Sequence, residues 1–115
     1  MKRILLIVAI AISSEVLAGS GYIATSVEVD EVTNTASNGK SFSIKVSGGD
    51  GSHPCEDTVI TFPLSKAGNS GNDTDIHTRA FSLAITALTA GKKISVVNYE
   101  DDTSCNGAAY IKLLK

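Results

Sequence analysis

Polarity alternates in two stretches of the chain. Residues 22–32 alternate, and one predicted face carries Ile23, Thr25, Val27 and Val29. Residues 41–47 alternate again, with Phe42, Ile44 and Val46 pointing one way. A period of two is typical of a half-buried strand, and the intervening polar stretch contains the turn dipeptide Asn38-Gly39. The pattern therefore predicts a β-hairpin.

A third strand is predicted after a glycine-rich loop. Residues 48–54 (GGDGSHP) form the loop, and their spacing matches no phosphate-binding motif. Cys55 then opens the strand, residues 57–62 (DTVITF) are rich in β-branched and aromatic side chains, and Pro63 ends it.

A helix is predicted next, because apolar residues recur at i, i+3 and i+4 spacing. Thr74 or Asp75 can cap its start, and Gly91 is suited to its C-terminal end. Asn69, Asn72 and Asp73 resemble calcium ligands only superficially, since the EF-hand spacing is absent. The predicted apolar stripe consists of Ile76, Ala80, Phe81, Leu83, Ala84, Ala87 and Leu88.

Two more strands follow the helix. Residues 94–99 form the fourth, with apolar side chains on both faces, and an acidic loop over residues 100–104 leads to Cys105, which opens the fifth. The order β-β-β-α-β-β is that of a five-stranded OB-fold barrel, so we expect a mainly β domain with one helix. In that barrel the third and fifth strands are parallel neighbours, which brings Cys55 and Cys105 together. The alternative is an α+β sandwich with the helix on one face of a mixed sheet.

The first 18 residues predict export. A basic start (Met1-Lys2-Arg3) precedes nine apolar residues, and Val16-Leu17-Ala18 suits a cleavage site. The apolar run is too short to span a bilayer, and no later segment approaches that length. We therefore expect a signal peptide at 1–18, one domain at 19–115, no membrane span after cleavage, and a secreted or periplasmic location.

The two cysteines predict a disulfide bond, because an even pair in an exported chain most simply forms one. Cys55 and Cys105 are the two cysteines. Closing a loop of this size stabilises by roughly 3–4 kcal/mol in the chain-entropy model.

Charge and motifs exclude several function classes. The formal net charge is −2 and no basic run occurs, which argues against nucleic acid as a partner. The two histidines, His53 in the glycine-rich loop and His77 near the helix start, lack the partners of a catalytic or metal-binding motif in the sequence. We therefore expect no enzyme, no metal and no cofactor.

The layout resembles the B subunits of bacterial AB-type toxins, with the pertussis-like and subtilase-cytotoxin-like branches closest. The resemblance covers residues 78–114 and, more loosely, the mature chain. It lies in a helix ending Ala87-Leu88-Thr89-Ala90-Gly91-Lys92, followed by a strand, an acidic loop, Cys105 and a closing strand. It implies an OB-fold, ring assembly (commonly a pentamer) and recognition of cell-surface glycans. The chain departs from that family in having no Trp and three Tyr.

The function expected is that of a secreted binding module for a cell-surface glycan or protein. Because OB-folds bind through loops and exposed sheet faces, the candidate contacts are Tyr99, Asp101, Asp102, Thr103 and Ser104. Two alternatives stay open: a structural or assembly protein of the cell envelope, and an inhibitor of a secreted enzyme.

Overall fold

A computed structural model describes residues 21–34, 40–99 and 104–115. Its five strands are β1 (Gly21–Asn34), β2 (Ser41–Gly48), β3 (Val59–Pro63), β4 (Lys93–Asn98) and β5 (Tyr110–Leu113). A short 3₁₀ turn (Leu64–Lys66) and one helix, α1 (Thr74–Ala90), lie between β3 and β4. The predicted mainly β domain and its element order are confirmed. The predicted signal peptide (1–18) and the Asn38-Gly39 turn lie outside the described residues.

The strands form one antiparallel sheet in the order β3-β2-β1-β4-β5. The third and fifth strands are therefore its two edges, not the hydrogen-bonded parallel neighbours that the sequence predicted. Thr61 of β3 is hydrogen-bonded to the segment that leads into β5. Its amide donates to the Cys105 carbonyl (2.8 Å), and its carbonyl accepts from the Ala108 amide (3.1 Å). The predicted pairing of these two strands was wrong because the residues that reach Thr61 (Cys105 and Ala108) lie before β5 begins at Tyr110. Neither cysteine opens a strand; each lies in the turn before one.

The long strand β1 is irregular, and this changes which side chains it buries. The register with β4 shifts between Tyr22 and Ala24 and again between Ala24 and Val27, and the register with β2 shifts at Asp30. Each shift is a β-bulge, which bends the strand and increases its twist. Ala24 is consequently buried in the core, while Thr25 contacts the loop after β2. The strict alternation predicted for this strand, with Thr25 on the core face, was wrong.

The core lies between the bent sheet and α1. The helix turns three small residues, Ala80, Ala84 and Ala87, toward the strands, which lets its backbone approach them closely. At one end of the core the rings of Phe42 and Phe62 stack with centroids 4.6 Å apart. Leu88, predicted on the apolar stripe, is 41% exposed.

Capping defines the ends of α1. The Asp73 side chain accepts a hydrogen bond from the Ile76 amide (3.0 Å), so the cap is Asp73 and not the predicted Thr74 or Asp75. Gly91 ends the helix in the left-handed conformation, as predicted. His77, which the sequence left without a partner, has Nε2 2.8 Å from the Phe62 carbonyl oxygen. Among the described residues, no helix is long and apolar enough to cross a membrane.

The disulfide is present. Cys55 and Cys105 are joined across 50 residues of sequence, with their Cα atoms 5.6 Å apart. It ties the turn before β3 to the turn before β5. Such a bond is compatible with a secreted or periplasmic protein.

Candidate functional site

Strand register gathers aromatic residues on the sheet face opposite the core. Tyr22 of β1 lies beside Val97 of β4, and Val97 lies beside Tyr110 of β5. Side chains opposite one another across paired strands share a face, so the two tyrosines flank the buried Val97. Lys112 lies two residues after Tyr110 on β5, where the pleat returns to the same side. Tyr99 follows the end of β4, and its ring contact with Tyr110 places it on this face. We call Tyr22, Tyr99, Tyr110 and Lys112 the tyrosine face.

The members of the tyrosine face contact one another. The rings of Tyr99 and Tyr110 have centroids 5.7 Å apart at 51°. The Lys112 ammonium group donates a hydrogen bond to the Tyr22 hydroxyl and lies 5.0 Å from the centre of that ring. Tyr22 and Tyr99 are 40% and 39% exposed. All three tyrosines of the chain therefore lie on one surface, with two rings open to solvent and one cation beside them.

Two ionisable groups on this face, Tyr110 and Lys112, have raised pKa values. Burial, followed by the neighbouring Tyr99, raises the pKa of the Tyr110 hydroxyl above its ordinary value. The hydrogen bond to Tyr22 raises the pKa of Lys112. Lys112 therefore carries its charge throughout the neutral range.

A second group of polar side chains lies in the loop between β2 and β3. Asp50, His53 and Glu56 are spaced three residues apart, and each offers one possible metal-ligand atom; these atoms lie within 4.8 Å of one another. The His53 Nδ1 atom is 3.4 Å from Asp50 Oδ1 and 3.5 Å from Glu56 Oε2. We call these three residues the loop cluster. It adjoins the tyrosine face, since the Tyr22 and His53 rings are 6.4 Å apart.

Backbone and hydroxyl donors hold the two carboxylates in place. Glu56 accepts from the amides of Gly51 (2.7 Å) and Thr25 (3.1 Å). Asp50 accepts from the Thr25 hydroxyl (2.7 Å) and from the amide and hydroxyl of Ser52. The hydroxyl of Ser52, that of Thr25 and the Ser52 amide hold the pKa of Asp50 well below its usual range. The bulge that turned Thr25 away from the core thus supplies a donor to the loop.

The loop cluster does not have the geometry of a serine–histidine–aspartate triad. In a triad the hydroxyl and the carboxylate contact opposite nitrogens of the imidazole. Here Ser52 Oγ (3.0 Å) and Asp50 Oδ1 both approach the same nitrogen, His53 Nδ1. The imidazole cannot pass a proton between them in this arrangement.

Two depressions border the tyrosine face. A groove of about 370 Å³ between α1 and β5 is lined mainly by apolar side chains, Tyr110 and Leu83 among them. A smaller polar cavity of about 150 Å³ lies between Tyr99 and residues 65–71. A ligand on the exposed rings could extend into either depression.

The sequence-predicted contact residues are only partly described. Tyr99 lies on the tyrosine face. The Ser104 hydroxyl accepts from the Asn106 amide (3.0 Å), and its carbonyl accepts from the Asn98 side chain, so Ser104 shapes the turn before β5. Asp101, Asp102 and Thr103 lie outside the described residues.

A protein-family model matches residues 3–115, and it is described as a family of unknown function (DUF5992). The chain belongs to the family DUF5992. No curated protein and no solved structure matches the chain. The geometry of this DUF5992 member is therefore the basis for any functional proposal.

Sequence reasoning missed three members of the tyrosine face and all of the loop cluster. Tyr22 precedes Ile23 in the alternating stretch, but the partner strands that place Tyr110 and Lys112 beside it are distant in the chain. The loop cluster has one local signal, the spacing of three between Asp50, His53 and Glu56. That spacing matches no common motif, so only the folded loop reveals that the side chains converge.

Proposed function

We propose that this protein is an exported binding module with an OB-fold-like barrel that recognises a cell-surface glycan through its tyrosine face. The observation that carries the proposal is the collection of all three tyrosines on one sheet face, two of them exposed, beside a lysine. An exposed aromatic ring offers an apolar surface at low conformational cost, while hydroxyl and ammonium groups bind polar substituents.

The barrel part of the proposal is supported by three features. The strand order β3-β2-β1-β4-β5, with the helix between β3 and β4, suits a partly open five-stranded barrel. The bulges of β1 supply curvature. The two backbone hydrogen bonds at Thr61 bring the sheet edges together beside the disulfide.

The arrangement favours a sugar over a flat apolar ligand. Val97, the buried residue between Tyr22 and Tyr110, is a small apolar side chain, and the exposed rings carry their own hydroxyl groups and adjoin the charged Lys112. The Lys112 ammonium group is the cation of this face, and it favours sugars that carry a carboxylate or sulfate group. The proposed ligand is therefore an acidic glycan.

A glycan array with matched variants tests this function. We expect Tyr99→Ala to weaken glycan binding about tenfold, equivalent to about 1.4 kcal/mol, while Tyr99→Phe keeps the ring and most of the affinity. Lys112→Met should reduce binding to acidic sugars more than to neutral ones. Val59→Ala, which trims a side chain 48% exposed on β3, is the control.

The proposal would be abandoned if no glycan bound, or if Val59→Ala lowered affinity as much as Tyr99→Ala. Far-ultraviolet circular dichroism of each variant excludes misfolding as the cause of a loss. Ring assembly, which the toxin resemblance implies, stays a prediction that the native mass of the purified protein checks.

A further inference from the structure

We propose that the loop cluster of Asp50, His53 and Glu56 binds one divalent transition-metal ion, with Zn²⁺ as the best fit. The inference does not depend on glycan binding, and it departs from the sequence-based prediction of no metal. It rests on the positions of three donor atoms, on the burial of one carboxylate and on the contacts that hold the carboxylates.

The donor atoms are spaced as ligands of one ion. Zinc bonds to histidine nitrogen and carboxylate oxygen are about 2.0–2.2 Å long in a tetrahedral site, which places neighbouring ligand atoms about 3.3–3.6 Å apart. His53 Nδ1 lies 3.4 Å from Asp50 Oδ1 and 3.5 Å from Glu56 Oε2. Two of the three donor pairs thus already have the separations that a bound zinc ion requires, and all three donor atoms lie within 4.8 Å of one another.

The charge at the loop cluster also favours a cation. The Glu56 side chain is only 5% exposed, and the Asp50 carboxylate is directed at the same point. A buried carboxylate is costly unless it is paired with positive charge as well as hydrogen-bonded. A divalent ion would balance both carboxylates at once.

The carboxylates are held before any ion arrives. Glu56 accepts two hydrogen bonds, from the Gly51 and Thr25 amides, and Asp50 accepts three, from the amide and hydroxyl of Ser52 and from the Thr25 hydroxyl. Each carboxylate, with about four lone pairs, therefore keeps at least one for an ion. The neighbouring Cys55 is fixed by the disulfide and by its amide, which donates to the Ile23 carbonyl. Such outer contacts orient metal ligands and raise affinity.

Donor chemistry selects among ions. One imidazole nitrogen with two carboxylates suits zinc and its transition-metal neighbours, whereas calcium and magnesium prefer all-oxygen sites with more ligands. The Asp50 side chain is 51% exposed and that of His53 26%, so the site is open on the solvent side. A water molecule or a ligand hydroxyl can complete the coordination there.

Isothermal titration of the oxidised, chelator-treated protein with Zn²⁺, Ca²⁺ and Mg²⁺ tests the site. We expect one Zn²⁺ per chain, weak or no binding of Ca²⁺ and Mg²⁺, and a rise in the melting temperature at zinc concentrations well above Kd. His53→Gln and Asp50→Asn should each weaken zinc binding at least 100-fold. Asp57→Asn is the matched control, since Asp57 lies in the same loop and accepts from the Gly48 amide without joining the cluster.

Three results of the zinc titrations would overturn the proposed metal site. They are the absence of zinc binding, zinc binding unaffected by His53→Gln, and an equal loss in Asp57→Asn. Imidazole nitrogen chemical shifts give an independent readout: zinc should shift the His53 Nδ1 resonance and leave those of His77 unchanged. A shift at His77 instead would place the ion elsewhere and refute the proposal.

Discussion

Tyr110 lies on an exposed face, yet its hydroxyl is partly removed from water. Burial disfavours the charged phenolate and raises the pKa of this residue above the usual value of about 10. A group whose pKa is raised in the folded state contributes stability that is fully present below the unfolded pKa and is lost as pH rises through the folded pKa. We therefore expect the free energy of unfolding to fall above about pH 10.

The ultraviolet absorbance of phenolate measures this directly. Tyr110→Phe should remove a phenol that ionises at a higher pH than free tyrosine, and the variant should lose less stability in alkali than the parent protein. The difference between the titrations of the parent protein and the variant gives the contribution of Tyr110. A midpoint near pH 10 for that difference would show that the pKa of Tyr110 is not raised, and would contradict the structural account of this residue.

At the scale of the element, the helix α1 depends on its caps as well as on its alanine face. Asp73→Ala removes the side-chain acceptor of the Ile76 amide and should lower the free energy of unfolding by about 1 kcal/mol. Chemical denaturation monitored at the helix signal measures the change. Thr78→Ala, at an exposed position inside the same helix, is the control and should cost nothing, because alanine has the higher helix propensity. Equal losses in both variants would contradict the capping role.

At the scale of the whole molecule, the disulfide connects the two edges of the sheet. Replacing both Cys55 and Cys105 with serine removes the restraint on a 50-residue separation and should lower the free energy of unfolding by about 4 kcal/mol. For a domain near 100 residues, that is a large share of a total stability of about 5–15 kcal/mol. Urea unfolding of the oxidised protein and of the double variant compares the two. An unchanged urea midpoint would show that the contacts near Thr61 hold the edges together without the bond.

The amino-acid sequence by itself determined the local elements. Period-two and helical patterns predicted five strands and one helix in the correct order, and Gly91 predicted the helix end, because these signals depend on neighbours within a few residues. The cysteine pairing could also be predicted, since two cysteines allow only one intramolecular bond.

Only the tertiary structure decided which side chains share a surface. The bulges of β1 moved Ala24 into the core and Thr25 toward the loop, and no alternation rule predicts where a register will shift. The tyrosine face joins Tyr22 to Lys112, 90 positions apart, through strand pairing. The loop cluster likewise forms because Thr25 binds both carboxylates and the Cys55 amide donates to the Ile23 carbonyl, which hold the loop against β1. Surfaces depend on these long-range pairings, whereas the elements depend on local sequence. A mainly β chain with one helix could therefore be predicted, while of the tyrosine face only Tyr99 was.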